Sequence, residues 1–235
     1  MDNIEKIKND FVSIYIPKGD YHSNLINTDN QVMDFLCKNV DWNKSIIDAG
    51  ACLGFYSKFF CQFSKAKVYA FEPDLNNYEY LIFNNSDFLK KNKLKIFSYC
   101  LADKKYKTKL FAEGKNNRGQ KLFLKQTYVD LLKKQLKELK NKWINVTTID
   151  HEIPSNESIS LIKIDTEGFD YEVLLGANGI IKMYKPDILI GVHEYPNLDG
   201  SFTTNEKDIF DFMSKNKYKL LKEFTHDEFY FRFCG

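Results

Sequence analysis

Short apolar runs alternate with longer amphipathic stretches along this chain, and the alternation predicts strands and helices in turn. Phe11 to Ile16 (FVSIYI) steps between apolar and polar positions with β-branched and aromatic residues, which predicts a leading strand. Asn27, Thr28 and Asp29 offer an N-cap for a helix whose Val32, Phe35 and Leu36 face inward. Ser45, Ile46 and Ile47 form a run too short for a helix but right for a buried strand, and Asp48 ends it. Ala49, Gly50, Ala51, Cys52, Leu53 and Gly54 follow as a turn of mostly small residues. Phe55, Phe59, Phe60 and Phe63 then recur at helical spacing. Lys67 to Phe71 (KVYAF) predicts a second core strand. Pro73 and Asp74 begin a helix with Leu75, Tyr78, Leu81 and Ile82 on one face, and Leu94 to Cys100 (LKIFSYC) is a third strand.

The pattern changes from Lys104 to Lys142. Lys107 to Ala112 and Lys121 to Lys125 could pair as a hairpin across a Gly114–Gly119 turn region, and Val129 to Lys140 is a basic amphipathic helix. This stretch is expected to be an insertion on the core, closed by an edge strand at Trp143 to Ile149 (WINVTTI). Strand–helix alternation then resumes. Ser160 to Ile164 is a fourth core strand, Phe169 to Leu175 opens a helix, and Asp187 to Val192 is a fifth strand. Asn205 to Met213 is a helix with Ile209, Phe210, Phe212 and Met213 inward. Tyr218 to Leu221 and Phe229 to Phe233 end the chain as two strands. Repeated strand–helix units imply an α/β fold with a mostly parallel sheet and helices on both faces. The short last connection forces an antiparallel terminal strand pair at one edge.

Composition narrows the picture. A chain of 235 residues that is 43% hydrophobic can build one full core. A single domain over residues 1–235 is expected, with a lead segment at 1–44 and an insertion at 104–142. The net charge is only +2, yet between Asp103 and Lys142 thirteen Lys or Arg face four Asp or Glu, a local +9 set against −7 elsewhere. Five scattered cysteines, none at metal-ligand spacing, indicate a reducing compartment. The charged N-terminus lacks an apolar targeting core, and no run of about 18 apolar residues occurs, so the chain is expected to be soluble and cytoplasmic, with no membrane partner.

Ligands of open α/β sheets sit at the carboxyl ends of the strands. The residues there are Asp48, Glu72, Asp103, Asp165 with Glu167, and His193 with Glu194, so every predicted core-strand end carries an acid. Gly50 and Gly54 are expected to let a ligand approach the backbone, with turn N–H groups and a helix's positive end facing it. Glu72, 22 residues after Gly50, can accept both hydroxyls of a ribose; the plainer alternative is a strand-end acid that caps the next helix together with Asp74. The turn lacks the close Gly-x-Gly pair of a dinucleotide site. A ligand with a cationic centre and an amino-acid tail suits these acids better.

The blocks IIDAGACLGFYS, VYAFEPDLNNYEYL, SLIKIDTEGFDYEVLLGA and PDILIGVHE, in this order, resemble the FkbM family of S-adenosylmethionine-dependent O-methyltransferases, from about Ile46 to Glu194. The first two blocks are shared by many class I methyltransferases. The third, with Lys163, Asp165, Glu167 and Gly168, is specific to the family. The resemblance implies a Rossmann-like fold and S-adenosylmethionine as cofactor. Asp48, Gly50 and Gly54 would hold its methionine portion, with Ala49, Ala51 and Phe55 lining the same turn. Glu72 would hold the ribose beside Pro73, and Leu101, Ala102 and Asp103 would lie against the adenine.

Methylation of a hydroxyl needs alignment of the acceptor oxygen and a proton acceptor. His193, Glu194, Asp165 and Glu167 are the catalytic candidates. His193, with an ordinary pKa near neutrality, is the expected base, oriented by Glu194 or Asp165. The plainer reading has His193 bonded to a loop carbonyl, and Asp165 with Glu167 at the N-terminus of the helix that starts near Phe169. A divalent metal is not expected, although Asp165, Glu167, His193 and Glu194 could ligate an oxygen-preferring cation, Asp165 and Glu194 foremost. His151 and His226 are expected to be solvated, while His22 could reach the crevice as part of a lid. The expected acceptor is a hydroxyl of a sugar or nucleotide-linked sugar, its diphosphate recognised by the basic segment. The alternative is an RNA methyltransferase whose Lys-rich 104–142 segment tracks phosphates. The near-neutral net charge and the absence of interleaved aromatics argue against a nucleic-acid partner; a homodimer is compatible with the chain.

Overall fold

The computed structural model describes residues 4–20, 29–110, 142–196, 202–225 and 227–235. The chain opens with an antiparallel hairpin of β1 (Ile4–Lys8) and β2 (Ser13–Pro17), a two-stranded sheet of its own. The leading strand therefore starts at Ser13 rather than Phe11, and its partner is the charged IEKIK stretch. Helix α1 (Asn30–Asn39) buries Val32, Met33 and Leu36. Then β3 (Ser45–Ala49), α2 (Phe55–Phe63), β4 (Val68–Phe71), α3 (Leu75–Asn84), α4 (Ser86–Lys90) and β5 (Leu94–Phe97) follow in the expected order.

The expected third strand is divided. Only Leu94 to Phe97 joins the main sheet; β6 (Cys100–Leu101) turns away into a second sheet with β7 (Tyr106–Leu110) and β8 (Lys142–Thr147), in the order β6-β8-β7. The strand expected at Trp143 to Ile149 is thus the centre of that sheet, not an edge, and Ile149 already belongs to α5 (Ile149–Glu152). Strand β7 pairs with β8. The expected partner at Lys121 to Lys125 and the expected basic helix at Val129 to Lys140 lie outside the described residues.

Strand β9 (Ile159–Ile164) returns to the main sheet, followed by α6 (Asp170–Leu175), α7 (Asn178–Tyr184) and β10 (Asp187–Gly191). A two-stranded ribbon of β11 (Glu194–Pro196) and β12 (Phe202–Thr204) precedes α8 (Glu206–Lys215), β13 (Tyr218–Phe224) and β14 (Glu228–Phe233). The main sheet has the order β13-β14-β10-β9-β3-β4-β5. Its five strands from β10 to β5 are parallel, and β14 runs antiparallel to both β10 and β13. A mostly parallel α/β sheet with an antiparallel terminal pair is what the alternation predicts.

Side chains of a strand alternate between faces, and here each face has its own core. Ile46, Leu161, Leu189 and Tyr230 pack with Met33, Leu36, Phe59 and Phe60 from α1 and α2. Ile47, Ile162, Ile164 and Ile190 pack with Val173, Ile181, Ile209 and Met213 from α6, α7 and α8, and with Ile144 and Val146 of the second sheet. Strands β3 and β9 are buried throughout, which explains their continuous apolar character. Each fully buried aliphatic side chain contributes about 1.5–3 kcal/mol. Two charged residues interrupt this apolar layer, Asp48 and Lys163, and they stand opposite one another across β3 and β9.

Candidate active site

The chain builds outward from β3 through β4 to β5, then returns to β9 and continues to β10 on the other side. The strand order therefore reverses between β3 and β9, and the crevice beyond their carboxyl ends is where such sheets bind ligands. In register, Asp48 opposes Lys163, Lys163 opposes Leu189, and Gly191 opposes Glu228. Alternation then puts Asp48, Lys163 and Glu228 on the face covered by α1 and α2.

Lys163 is 2% exposed. Its Nζ lies 3.0 Å from Oδ2 of Asp165 and 4.0 Å from Oδ1 of Asp48, and 4.7 Å from the centre of the Tyr56 ring. Burial alone would lower its pKa, but Asp165, Asp48 and Glu228 together hold it above the ordinary lysine value. Asp48 is fully buried and accepts a 2.5 Å hydrogen bond from Ser57 Oγ; its Oδ1 has no hydrogen-bond partner among the described residues. Burial raises its pKa, and Lys163 and Ser57 oppose the rise. Tyr56 O–H in turn donates to Asp29, the residue just before α1.

The loop between β9 and α6 is shaped by Glu167 at φ +55° and Gly168 at φ +101°. Asp170, the first residue of α6, gathers it: Oδ1 accepts from Thr166 N at 2.7 Å and Thr166 Oγ1 at 2.9 Å, and Oδ2 from Gly168 N at 3.3 Å. The same Oδ2 lies 2.9 Å from Nδ1 of His193, whose Nε2 is 3.4 Å from Oδ1 of Asp165. Burial would lower the His193 pKa, but the hydrogen bond to Asp170 and the charges of Asp170, Asp165 and Glu167 raise it to about 9. His193 thus meets two carboxylates rather than the loop carbonyl of the plainer reading. Asp165, Glu167 and His193 bring ligand-type atoms within 4.8 Å of one another. Lys163 lies 3.0 Å from Asp165 Oδ2, and a carboxylate faces each imidazole nitrogen, so Asp165 and His193 also have partners within the protein.

On the other side of the crevice, Glu72 is 5% exposed, and its oxygens accept from Cys52 N and Asp74 N, both at 2.8 Å. Burial lifts its carboxyl to about 7 against the pull of these two N–H groups. Asp74, not Glu72, caps α3, through Asn76 N and Asn77 N. The turn from Gly50 to Gly54 is tied down from within the protein. Gly50 N and Ala51 N donate to Phe71 O, Cys52 N to Glu72, and Gly54 N to Ala51 O. Asn84 Nδ2 holds Leu53 O, and Asn85 Nδ2 holds Gly54 O. The expectation of turn N–H groups aimed at a ligand is therefore corrected for these four: protein acceptors engage them. The glycines likewise admit protein rather than empty space. A Cβ at Gly50 (φ +83°) would fall on the carbonyl oxygen of Asp165, and one at Gly54 (φ +88°) on Asn85 Nδ2 and 2.7 Å from Leu81 Cδ1.

Among the remaining predicted residues, Ala49 and Ala51 are buried, and Phe55 and Pro73 are half-buried beside the turn and Glu72. Leu101 and Ala102 lie in the core and Asp103 is exposed; Ala102 N donates to Thr147 O of the second sheet. His151 is exposed. His22, His226 and the side chain of Glu194 lie outside what is described. Two acids that the sequence reading passed over join the site. Asp170 is one. Glu228, the first residue of β14, is the other: burial raises its carboxyl to about 7, Lys163 opposes the rise, and Asp165 and Asp29 add to it.

A reversing parallel sheet with this acid-lined crevice at its switch point defines an α/β protein of the class I methyltransferase fold. The chain belongs to the methyltransferase FkbM domain family, which residues 48–220 match. A crystal structure of methyltransferase FkbM from Methylobacillus flagellatus KT is similar at a TM-score of 0.56 and 18% identity, covering 82% of this chain and 44% of that one. A tRNA m1G37 methyltransferase from M. jannaschii is similar at 0.52 and 14%, covering 99% of this chain and 57% of that one. The chain in the complex of aTrm5 and tRNALeu matches at 0.52 and 12%, covering 99% and 53%. At these identities the likeness concerns the fold alone, and this chain spans less than two thirds of each. No curated protein matches the chain in sequence. Among the described residues, no helix is long and apolar enough to cross a membrane.

Proposed function

We propose that the chain is an S-adenosylmethionine-dependent O-methyltransferase acting on a hydroxyl of a small molecule, a sugar or nucleotide-linked sugar. The observation that carries this reading is the charge balance of the crevice. Among the described residues, Asp48, Asp165, Glu167, Asp170 and Glu228 gather about Lys163 and His193, Glu72 stands across the crevice, and one buried oxygen of Asp48 has no hydrogen-bond partner. That donor set fits a cationic cofactor. Glu72 would take the ribose hydroxyls, with Pro73 beside it. Asp48 would face the methionine end, which would lie beside the turn of Ala49, Gly50, Ala51, Gly54 and Phe55 without taking the N–H groups of Gly50, Ala51, Cys52 and Gly54 from their protein acceptors, and the Leu101–Asp103 segment would border the adenine through Asp103. When bound, S-adenosylmethionine supplies a methyl carbon on a positive sulfur; the acceptor oxygen takes that carbon while the sulfur keeps the bonding pair.

The hydroxyl proton then needs a base, and Nε2 of His193 takes it when the ring is neutral; because the carboxylates raise its pKa to about 9, turnover should climb as pH rises toward 9. Asp165 and Glu167 are at hand to bind the acceptor's other hydroxyls. A placed base contributes about 10²–10⁴-fold and alignment roughly 7–11 kcal/mol. The five cysteines are all free, in keeping with a reducing, cytoplasmic setting. We read residues 1–235 as one methyltransferase domain with 104–142 inserted. The test is calorimetry with S-adenosylmethionine and its demethylated product, followed by mass spectrometry of nucleotide sugars incubated with enzyme and cofactor. Uptake of both cofactor forms and a gain of one methyl on a sugar is the expected result. No uptake ends the reading; a steep loss of RNA binding with salt and methyl on RNA would replace the acceptor with nucleic acid.

A further inference from the structure

We infer that Asp170 is the positioning residue for His193: its buried carboxylate fixes Nδ1–H, and thereby aims Nε2 past Asp165 toward the acceptor. This rests on the reading of His193 as the proton acceptor. The sequence offers Asp165 and Glu194 for the orienting role, but Asp165 stands at the other nitrogen, 3.4 Å from Nε2. Asp170 is at Nδ1, 2.9 Å away, with 3% of its side chain exposed. It cannot swing aside. Thr166 N and Oγ1 grip one of its oxygens and Gly168 N the other, so rotating the carboxylate would break three hydrogen bonds to half-buried donors. An ionised carboxylate can only accept, and Asp170 at 2.9 Å from Nδ1 is the closer of the two, against 3.4 Å from Asp165 to Nε2, so the proton of the neutral ring is held on Nδ1. When the ring is neutral its lone pair is therefore on Nε2. The geometry gives one tautomer and one ring orientation before any acceptor arrives, the preorganisation that proton transfer in a fixed site requires.

The experiment is nitrogen-15 NMR of the imidazole side chains in the whole chain without acceptor, with His193 assigned by the signals lost in His193→Gln. In the wild type, His193 should titrate near 9 and in its neutral form carry the proton on Nδ1. In Asp170→Asn the midpoint should fall by at least about one pH unit, a tenfold loss of proton affinity, because a neutral amide replaces the carboxylate. A neutral wild-type His193 protonated on Nε2 overturns the proposal without recourse to any Asp170 variant. So does an Asp170→Asn protein with unchanged midpoint and tautomer. Turnover separates the two readings. If His193→Gln methylates a verified acceptor at the wild-type rate, His193 is not the base, whatever the NMR shows. If His193→Gln is inactive while Asp170→Asn keeps the wild-type pH–rate profile, the base stands and the positioning role falls.

Discussion

The imidazole of His193 lies over the backbone of Gly191, so close that a Cβ there would stand 2.8 Å from Cε1 and 3.5 Å from Nδ1. Gly191 is the last residue of β10, and His193 reaches back over it to Asp170. Gly191→Ala should therefore leave the sheet intact, since the obstructing atoms belong to the end of one side chain, but push the ring off Asp170. A displacement approaching 1 Å costs catalysis about 10²-fold. The expected outcome is a thermal midpoint near that of the wild type with turnover on a verified acceptor reduced between about 10- and 100-fold. Full activity would mean that His193 does not act from this position.

Much of this site is legible in the chain, and the part that is not has a common cause. Asp48, Glu72, Asp165 and His193 follow or end apolar runs, so strand-end logic finds them. Asp170 and Glu228 begin their elements instead. As the first residue of α6, Asp170 looks like any acid at a helix N-terminus; only the fold of Thr166 to Gly168 reveals that it accepts from the loop and from His193. Glu228 reaches the crevice because β14 runs against β10, which sets its first residue opposite the last residue of β10. The break at Ser98 and Tyr99, where the chain leaves the main sheet, has no signal in LKIFSYC because Cys100 and Leu101 are as apolar as a continuing strand. Gly50 and Gly54 were legible as glycines that something approaches closely, but the close neighbours prove to be Asp165, Asn85 and Leu81.

Those neighbours rank the two glycines. At Gly50 the obstruction is a backbone carbonyl, and the left-handed conformation adds about 1–2 kcal/mol for a residue with a Cβ. At Gly54 the same conformational penalty applies, but the obstructing atoms include the ends of the Asn85 and Leu81 side chains, which can move. Urea unfolding should show Gly50→Ala as the more destabilised protein, by more than about 2 kcal/mol or to the point of not folding. Equal stability of the two variants would contradict the packing of Asp165 against the turn.

The raised carboxyl of Glu72 makes stability depend on pH in a defined direction. Folded Glu72 titrates near 7 against 4.5 for a free group, so the folded chain holds a proton that the unfolded chain has released across that interval. Its stabilising effect is complete below pH 4.5 and is lost as pH rises through 7. For a group 5% exposed, the interval corresponds to the order of 3 kcal/mol. Glu228 shifts in the same sense, so the slope should not vanish in Glu72→Gln but become shallower. Denaturation midpoints measured from pH 5 to pH 8 for both proteins check this, and an unchanged slope in the variant would show that Glu72 ionises normally.

Lys163 is the buried cation set between Asp48 and Asp165, and its removal should be far more damaging than its own size suggests. Lys163→Met keeps most of the apolar stem but leaves Asp48 buried with its nearest positive charge gone, and Asp165 without its 3.0 Å partner. Losing one partner of a buried ion pair costs about 3–5 kcal/mol, because the remaining charge stays desolvated. Neutralising that charge should recover part of the loss. Asp48→Asn can still accept from Ser57 Oγ through its amide oxygen, which now bonds Oδ2 at 2.5 Å. The double variant Asp48→Asn, Lys163→Met is therefore expected to lose less stability than the two single losses added together, by more than about 1 kcal/mol. A cycle of four denaturant unfolding curves measures the difference. Strict additivity would mean that Lys163 answers to Asp165 alone, and that the 4.0 Å approach to Asp48 carries no energy.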